Sequence, residues 1–160
     1  MYLILAVIIV IVDQLVKFIV SSGMDLNQTI PIVDNVFHLT YIHNSGAAFN
    51  LFEGKTELLI ALPLVIIAFI LVYVVVKREK EHWLQLLSLA LIAGGGMGNL
   101  IDRIVHGVVI DYFDFRVFPI FNVADIAVTV GCGLMIIYLM FVDLRVKETR
   151  PDEGNNKSDN

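Results

Sequence analysis

Cysteine is nearly missing from this chain of 160 residues: Cys132 stands alone. A single thiol cannot close an internal disulfide, so no disulfide framework organises the fold. Its place between Gly131 and Gly133, inside an apolar run, reads as a small buried side chain. Charge is scarce as well. Asp, Glu, Lys and Arg make up 17% of residues, against about 25% in an ordinary soluble domain. A basic excess is lacking too, since 11 Lys and Arg face 16 Asp and Glu for a net charge of −5. With no basic stripe and no aromatic-basic interleaving, nucleic-acid binding is set aside. Five acids and four bases of the total fall in the tail after Val142. His38, His43, His82 and His106 are scattered without HExxH or similar spacing, so no metal motif is legible. Ser22 and Ser45 have no evident base for nucleophilic catalysis.

What the chain has instead is apolar length. Hydrophobic residues make up 58% of it and mean hydropathy is +0.80. The excess gathers into four runs, roughly 2–20, 58–76, 84–101 and 120–142. At about 1.5 Å of rise per residue, each is long enough, or nearly so, to cross a hydrocarbon core of about 30 Å. Within lipid a helix satisfies its own backbone, and runs this long without alternation predict helices. Pro63 is expected in the first turns of the second span, as a modest kink at most. The first run has the length of a signal peptide, but no Lys or Arg precedes it and Asp13, Gln14 and Lys17 interrupt it, so it reads as a retained span.

The reading is therefore an all-α membrane protein of four transmembrane helices with a small extracytoplasmic β segment after the first. Residues 1–146 form one membrane domain, and 147–160, polar and carrying Pro, Gly and Asn, form a disordered cytoplasmic tail. Lys77, Arg78, Lys80, Arg145, Lys147, Arg150 and Lys157 lie on one side; Lys17, Lys55, Arg103 and Arg116 lie on the other. That bias puts both termini in the cytoplasm. The segment 23–57 is then outside. Thr29–Val33 and Val36–Ile42 have strand character around Asp34-Asn35, which reads as a two-residue hairpin turn. Phe37, Leu39 and Tyr41 alternate with His38 and Thr40, giving one apolar face.

Acids inside spans cost something like 2.5–3.5 kcal/mol each on insertion scales, so each needs a reason. Asp13 has Lys17 one turn away, and a structural ion pair stands there beside a direct role in a site. The glycines of Gly94-Gly95-Gly96-Met97-Gly98 read as a helix-packing signal. Beyond them Asn99, Asp102 and Arg103 share one face, where Asp102 and Arg103 can pair at the helix end. Asn122 and Asp125 are a turn apart at the start of the fourth span, and Asp125 has no cation near it on its own helix. Such a carboxylate is protonated or matched from another helix. Asp111 alone reads more readily as a solvated loop residue than as part of a site. Together, however, Asp13, Asn44, Asn99, Asp102, Arg103, Asp111, Asn122 and Asp125 fall at one depth near the outer face. This predicts a polar pocket closed by 23–57. Two close carboxylates sharing a proton suffice for peptide hydrolysis, one as base toward water and one as acid, without metal or cofactor. A proton-coupled transporter is the alternative, but the second and fourth spans carry no acid in their cytoplasmic halves.

Five blocks carry a resemblance: Asp13-Gln14-x-x-Lys17, Asn44-x-Gly46-Ala47-Ala48-Phe49, Gly94-Gly95-x-x-Gly98-Asn99-x-x-Asp102-Arg103, Gly107-x-Val109-Ile110-Asp111-Tyr112 and Phe121-Asn122-x-Ala124-Asp125. In this order they resemble the bacterial lipoprotein signal peptidases, signal peptidase II, with only the 143–160 tail outside the match. The resemblance implies an aspartyl endopeptidase of the bacterial cytoplasmic membrane. Its substrates would be diacylglyceryl-modified prolipoproteins, cut just before the lipobox cysteine. It implies a catalytic pair at Asp111 and Asp125, support from Asn44, Asn99, Arg103 and Asn122, and more structural roles for Asp13, Lys17 and Asp102. Membrane lipid as surroundings, globomycin as inhibitor and the absence of any cofactor follow from it too. Ile110, Tyr112 and Gly96 depart from the residues common in that family but keep size and polarity close. The short spacing from Asp111 to Asp125 predicts a tight outer loop, and leaves Asp114 as a rival to Asp111.

Overall fold

The computed structural model describes residues 1–46, 55–77 and 81–143. Ala47, Ala48 and Phe49 of the second block, Arg78 and Lys80 of the middle loop, and the 147–160 tail lie outside the described residues.

Four long helices follow the four apolar runs. They are α1 (Tyr2–Gly23), α2 (Thr56–Lys77), α3 (Trp83–His106) and α4 (Val123–Ile137), the last continuing as a π-helical segment, Tyr138–Asp143. All four are long and apolar enough to cross a membrane. Three strands, β1 (Thr29–Val33), β2 (Phe37–Asn44) and β3 (Val109–Asp114), form one antiparallel sheet in the order β1-β2-β3. The molecule is a multi-pass membrane protein with a small sheet at one end of its helices. Pro63 lies inside α2, about two turns in from Thr56.

The central helix is α3, which packs against the other three. Its glycines make this possible by letting neighbouring backbones come close. A Cβ on Gly94 would lie 2.9 Å from the carbonyl oxygen of Ala6 on α1. One on Gly95 would run into the carbonyl of Ala124 on α4, and one on Gly98 into the carboxylate of Asp13. Gly94 and Gly98 thus face the same helix, and the second contact is with a charged group. On the opposite flank Ile67 of α2 packs against Ala93 and Leu100. Cys132 is exposed on the outside of α4, a correction to the buried reading. Gly131 is the residue of that stretch that turns inward, against Ser88 and Ile92 of α3.

Val33 pairs with Phe37, so the β1–β2 turn has three residues rather than two, with Asn35 at φ 58°. Pro31 lies in β1, an edge strand, where its missing N–H is tolerated. Tyr41, Ile110 and Tyr112 bury against Val20 at the end of α1, which seats the sheet on the helix ends. Gly107, at φ 76°, caps α3 in the left-handed conformation and turns the chain directly into β3. The outer loop after β3 is tight, as its length predicts. Phe113 and Phe121 exchange both backbone hydrogen bonds, at 2.8 and 3.1 Å, and Arg116 takes φ 66° between them.

Candidate active site

Asp111 lies in β3 and is almost fully buried, at 1% exposure. Its position across from β2 brings Asn44 within reach, and Asn44 Nδ2 donates to Asp111 Oδ2 at 2.8 Å. The same asparagine accepts the Gly46 N–H at 3.0 Å, which fixes the orientation of its amide.

Asp125 is placed by a different device. Helix α4 begins at Val123, later than the apolar run suggests, so Asp125 is the third helical residue rather than one well inside the span. Asn122 is the N-cap. Its Oδ1 accepts the Asp125 N–H at 2.9 Å, and Asp125 Oδ2 accepts the Asn122 N–H at 3.1 Å. This capping box satisfies two helix-end donors at once and locks the carboxylate against its own helix end. The remaining oxygen, Oδ1, accepts Asn99 Nδ2 of α3 at 2.8 Å. Among the described residues, the hydrogen-bonding match that Asp125 finds on another helix is therefore an amide.

Asn122 joins the two carboxylates. With no exposure, it directs Nδ2 to Asp111 Oδ1 at 2.6 Å and to Asn99 Oδ1 at 3.0 Å, and also lies 3.2 Å from the Ile110 carbonyl. Asp111 and Asp125 consequently share one amide-linked network drawn from β2, β3, α3 and α4.

Beneath it is a layer of buried charge. Lys17 Nζ is 2.8 Å from Asp13 Oδ2, 2.8 Å from Asp102 Oδ2 and 2.9 Å from Asn99 Oδ1. All three charged groups are at most 2% exposed. The i, i+4 pair expected on α1 is present, but it is half of a three-membered cluster. Asp102 turns to Lys17 rather than to its sequence neighbour Arg103, because a buried ammonium needs several acceptors. Arg103 Nη2 instead donates to the Gly46 carbonyl at 2.9 Å. Gln14 closes the layer, donating to Asp102 Oδ1 at 2.8 Å and to the Gly98 carbonyl at 3.1 Å.

A cavity of about 970 Å³ opens on this network, and Asn44, Asn99, Arg103, Asp111 and Asp125 are in its wall. Pro63 and Gly96 line it from the helices and Phe118 to Phe121 from the outer loop. Burial pushes the Asp111 carboxyl up to about 7, and the neighbouring Asp125 charge adds to this, against the opposing hydrogen bonds from Asn44 and Asn122. Asp114 faces elsewhere. It accepts Thr40 Oγ1 at 2.8 Å and both the backbone and guanidinium of Arg116, and it is not in the cavity wall. Although burial works against ionisation, these donors hold its carboxyl below the ordinary range.

Two features escaped the sequence reading. The capping box is an Asn-x-x-Asp pattern, legible in principle, but the start of α4 was placed too early for it to show. Gln14 shows in the sequence as an interruption of the first span and as part of a motif, but nothing local marks its partners on the helix packed across from it.

The model of the family described as signal peptidase (SPase) II matches residues 5–141. The chain belongs to the signal peptidase II family. It is accordingly an aspartic-type peptidase. Among its relatives, the lipoprotein signal peptidase of Halothermothrix orenii is 45% identical over 139 residues, covering 87% of this chain and 94% of that one. The lipoprotein signal peptidase of Desulfitobacterium hafniense is 38% identical over 139 residues, covering 86% and 91%. The peptidase is also similar to a bacterial membrane enzyme solved by the in meso method at 2.3 Å, with TM-score 0.84, 30% identity and 94% of each chain covered.

Proposed function

We propose that the peptidase removes the signal peptide from diacylglyceryl-modified prolipoproteins, cutting immediately before the lipobox cysteine, with Asp111 and Asp125 as one catalytic pair. The observation that carries this reading is that two carboxylates from different elements border one cavity and are bridged by a single asparagine. The names of the relatives support the substrate class.

In this reading the pair holds one proton, on Asp111, whose burial disfavours the charged form. Asp125 takes a proton from water as the water oxygen bonds to the scissile carbonyl carbon. Asp111 gives its proton to the carbonyl oxygen. The tetrahedral intermediate then collapses, its C–N bond breaks, and the proton held by Asp125 passes to the leaving amine of the cysteine. A hydroxyl proton of the intermediate returns to Asp111. Asn44, Asn99 and Asn122 keep the carboxylates aimed, and Arg103 offers a fixed cation at the cavity wall.

The orientation belongs to the same proposal: bacterial cytoplasmic membrane, both termini cytoplasmic, the active site near the extracytoplasmic face. The distribution of Lys and Arg supports it. A site at that depth lets the acyl chains and the apolar signal helix remain in lipid while the bond between them enters the cavity. Globomycin, a cyclic peptide, would occupy that cavity in place of substrate.

The test is cleavage of a lipidated prolipoprotein by the purified peptidase in proteoliposomes, with the unlipidated precursor as a second arm. Asp111→Asn and Asp125→Asn should each be inactive while folded. Full activity in either would overturn the pair.

A further inference from the structure

The cluster beneath the two carboxylates has a symmetry of function that the ion pairs alone do not explain. Asp102 Oδ2 accepts the backbone N–H of Ile110 at 3.1 Å, and Ile110 immediately precedes Asp111. Asp13 Oδ1 accepts the backbone N–H of Ala124 at 2.9 Å, and Ala124 immediately precedes Asp125. Each buried carboxylate thus pins the residue before one member of the proposed pair. Lys17 stands between them at 2.8 Å from both, so the ammonium ties the anchor of β3 to the anchor of α4.

Lys17 makes a third contact with the same consequence. An amide has one donor end and one acceptor end. Because Lys17 donates to Asn99 Oδ1 at 2.9 Å, the Nδ2 of Asn99 must point the other way, and it meets Asp125 Oδ1 at 2.8 Å. Asn122 Nδ2 donates to the same oxygen at 3.0 Å, so Lys17 is one of two donors that hold the amide in this sense, and the charged one.

We propose that Lys17 is a positioning residue for the reaction: through Asp13 and Asp102 it sets the separation of Asp111 and Asp125, and through Asn99 it orients the donor that Asp125 receives. This rests on the reading of Asp111 and Asp125 as the catalytic pair. A merely structural ion pair would stabilise the fold without governing the chemical step. A buried cluster of one cation and two anions is weak evidence for stability, since desolvation offsets much of its attraction. The positions of its hydrogen bonds give it a different use.

The charged and titratable groups around the pair come from four elements. Lys17 and Asp13 are on α1, Asp102 and Arg103 on α3, His43 on β2 and Tyr112 on β3. Only changes at the cluster are therefore used as probes, with the rest left intact.

The experiment compares Lys17→Gln and Asp13→Asn with the unsubstituted peptidase, measuring kcat, KM and the pH profile of cleavage in proteoliposomes. A displacement of reacting groups by about 1 Å can cost about 100-fold. Lys17→Gln should lose about that in kcat, with KM changed less than about twofold. Its alkaline limb should move to higher pH, since a nearby positive charge is gone. Asp13→Asn keeps Lys17 paired with Asp102, and its amide oxygen can still accept the Ala124 N–H, but its Nδ2 then faces the Lys17 ammonium and breaks the link between them, so kcat should fall here too. Removing a negative charge should move its alkaline limb to lower pH. Folded Lys17→Gln with the original kcat overturns the proposal. If that variant does not fold, a folded Asp13→Asn with the original kcat overturns it instead. Asp111→Asn, run alongside, separates the two readings. Activity there removes the catalytic pair, whereas an inactive Asp111→Asn beside a fully active Lys17→Gln removes only the role of Lys17.

Discussion

The side-chain nitrogen of Asn122 lies 2.6 Å from Oδ1 of Asp111. The same residue caps α4 through its side-chain oxygen, so one asparagine starts the last span and holds a carboxylate of the sheet. Those two duties can be separated. Asn122→Ala should lose the cap, worth about 1 kcal/mol, and about 100-fold in activity through misplacement of the pair. Asn122→Ser restores a capping oxygen but not the amide donor. Its thermal midpoint in detergent should recover toward the original while its cleavage rate stays low. Joint recovery of both would show that the cap alone matters.

Substitution within the proposed catalytic pair should be far more severe. Asp111→Asn and Asp125→Asn keep size and most hydrogen bonding but cannot exchange a proton. Each should lower the single-turnover cleavage rate by at least about 1,000-fold, within the span of general acid–base effects.

Asp114 is the control for that experiment. Its partners are Thr40 and Arg116, and Arg116 is half exposed. The Asp114 carboxylate itself is buried, and hydrogen bonds to a charged group are worth about 1.5–3 kcal/mol. Asp114→Asn should lower the thermal midpoint, yet keep kcat within about twofold because the residue lies outside the cavity wall. An inactive Asp114→Asn beside an active Asp111→Asn would reassign the pair to Asp114 and Asp125.

Asp111 also sets a pH dependence. Its carboxyl is raised from 3.8 to about 7, so between those values the folded protein holds a proton that the unfolded chain releases. The resulting stability is fully present below about pH 4 and is lost as pH rises through about 7. Cleavage that requires the protonated form should decline over the upper part of that window. Rates measured from pH 5 to 9 should show an alkaline limb near 7; a rate that keeps rising past pH 8 would contradict it.

The packing of α3 makes a prediction independent of chemistry. Gly95→Leu places carbon where the Ala124 carbonyl lies, and overpacking of this kind costs about 1–3 kcal/mol. Because Ala124 precedes Asp125, activity should fall together with stability. Gly133→Ala meets nothing within 4 Å and should change neither. Thermal denaturation of the two variants in detergent, alongside cleavage, checks this.

The sequence by itself determined the four spans, because hydrocarbon demands long apolar helices and nothing else in a chain looks like them. It also exposed the residues that break that rule. Asp13, Asn99, Asp111, Asn122 and Asp125 stand out wherever an apolar run is interrupted, and the hairpin of β1 and β2 shows in its alternation. Tertiary structure alone decided which interruption answers which. Local spacing paired Asp102 with Arg103 and left Asp125 unmatched; packing paired Asp102 with Lys17 and matched Asp125 with Asn99. The physical reason is that a buried polar group takes its partners from whichever helix lies across the interface. That neighbour is chosen by the glycine face of α3, not by proximity along the chain.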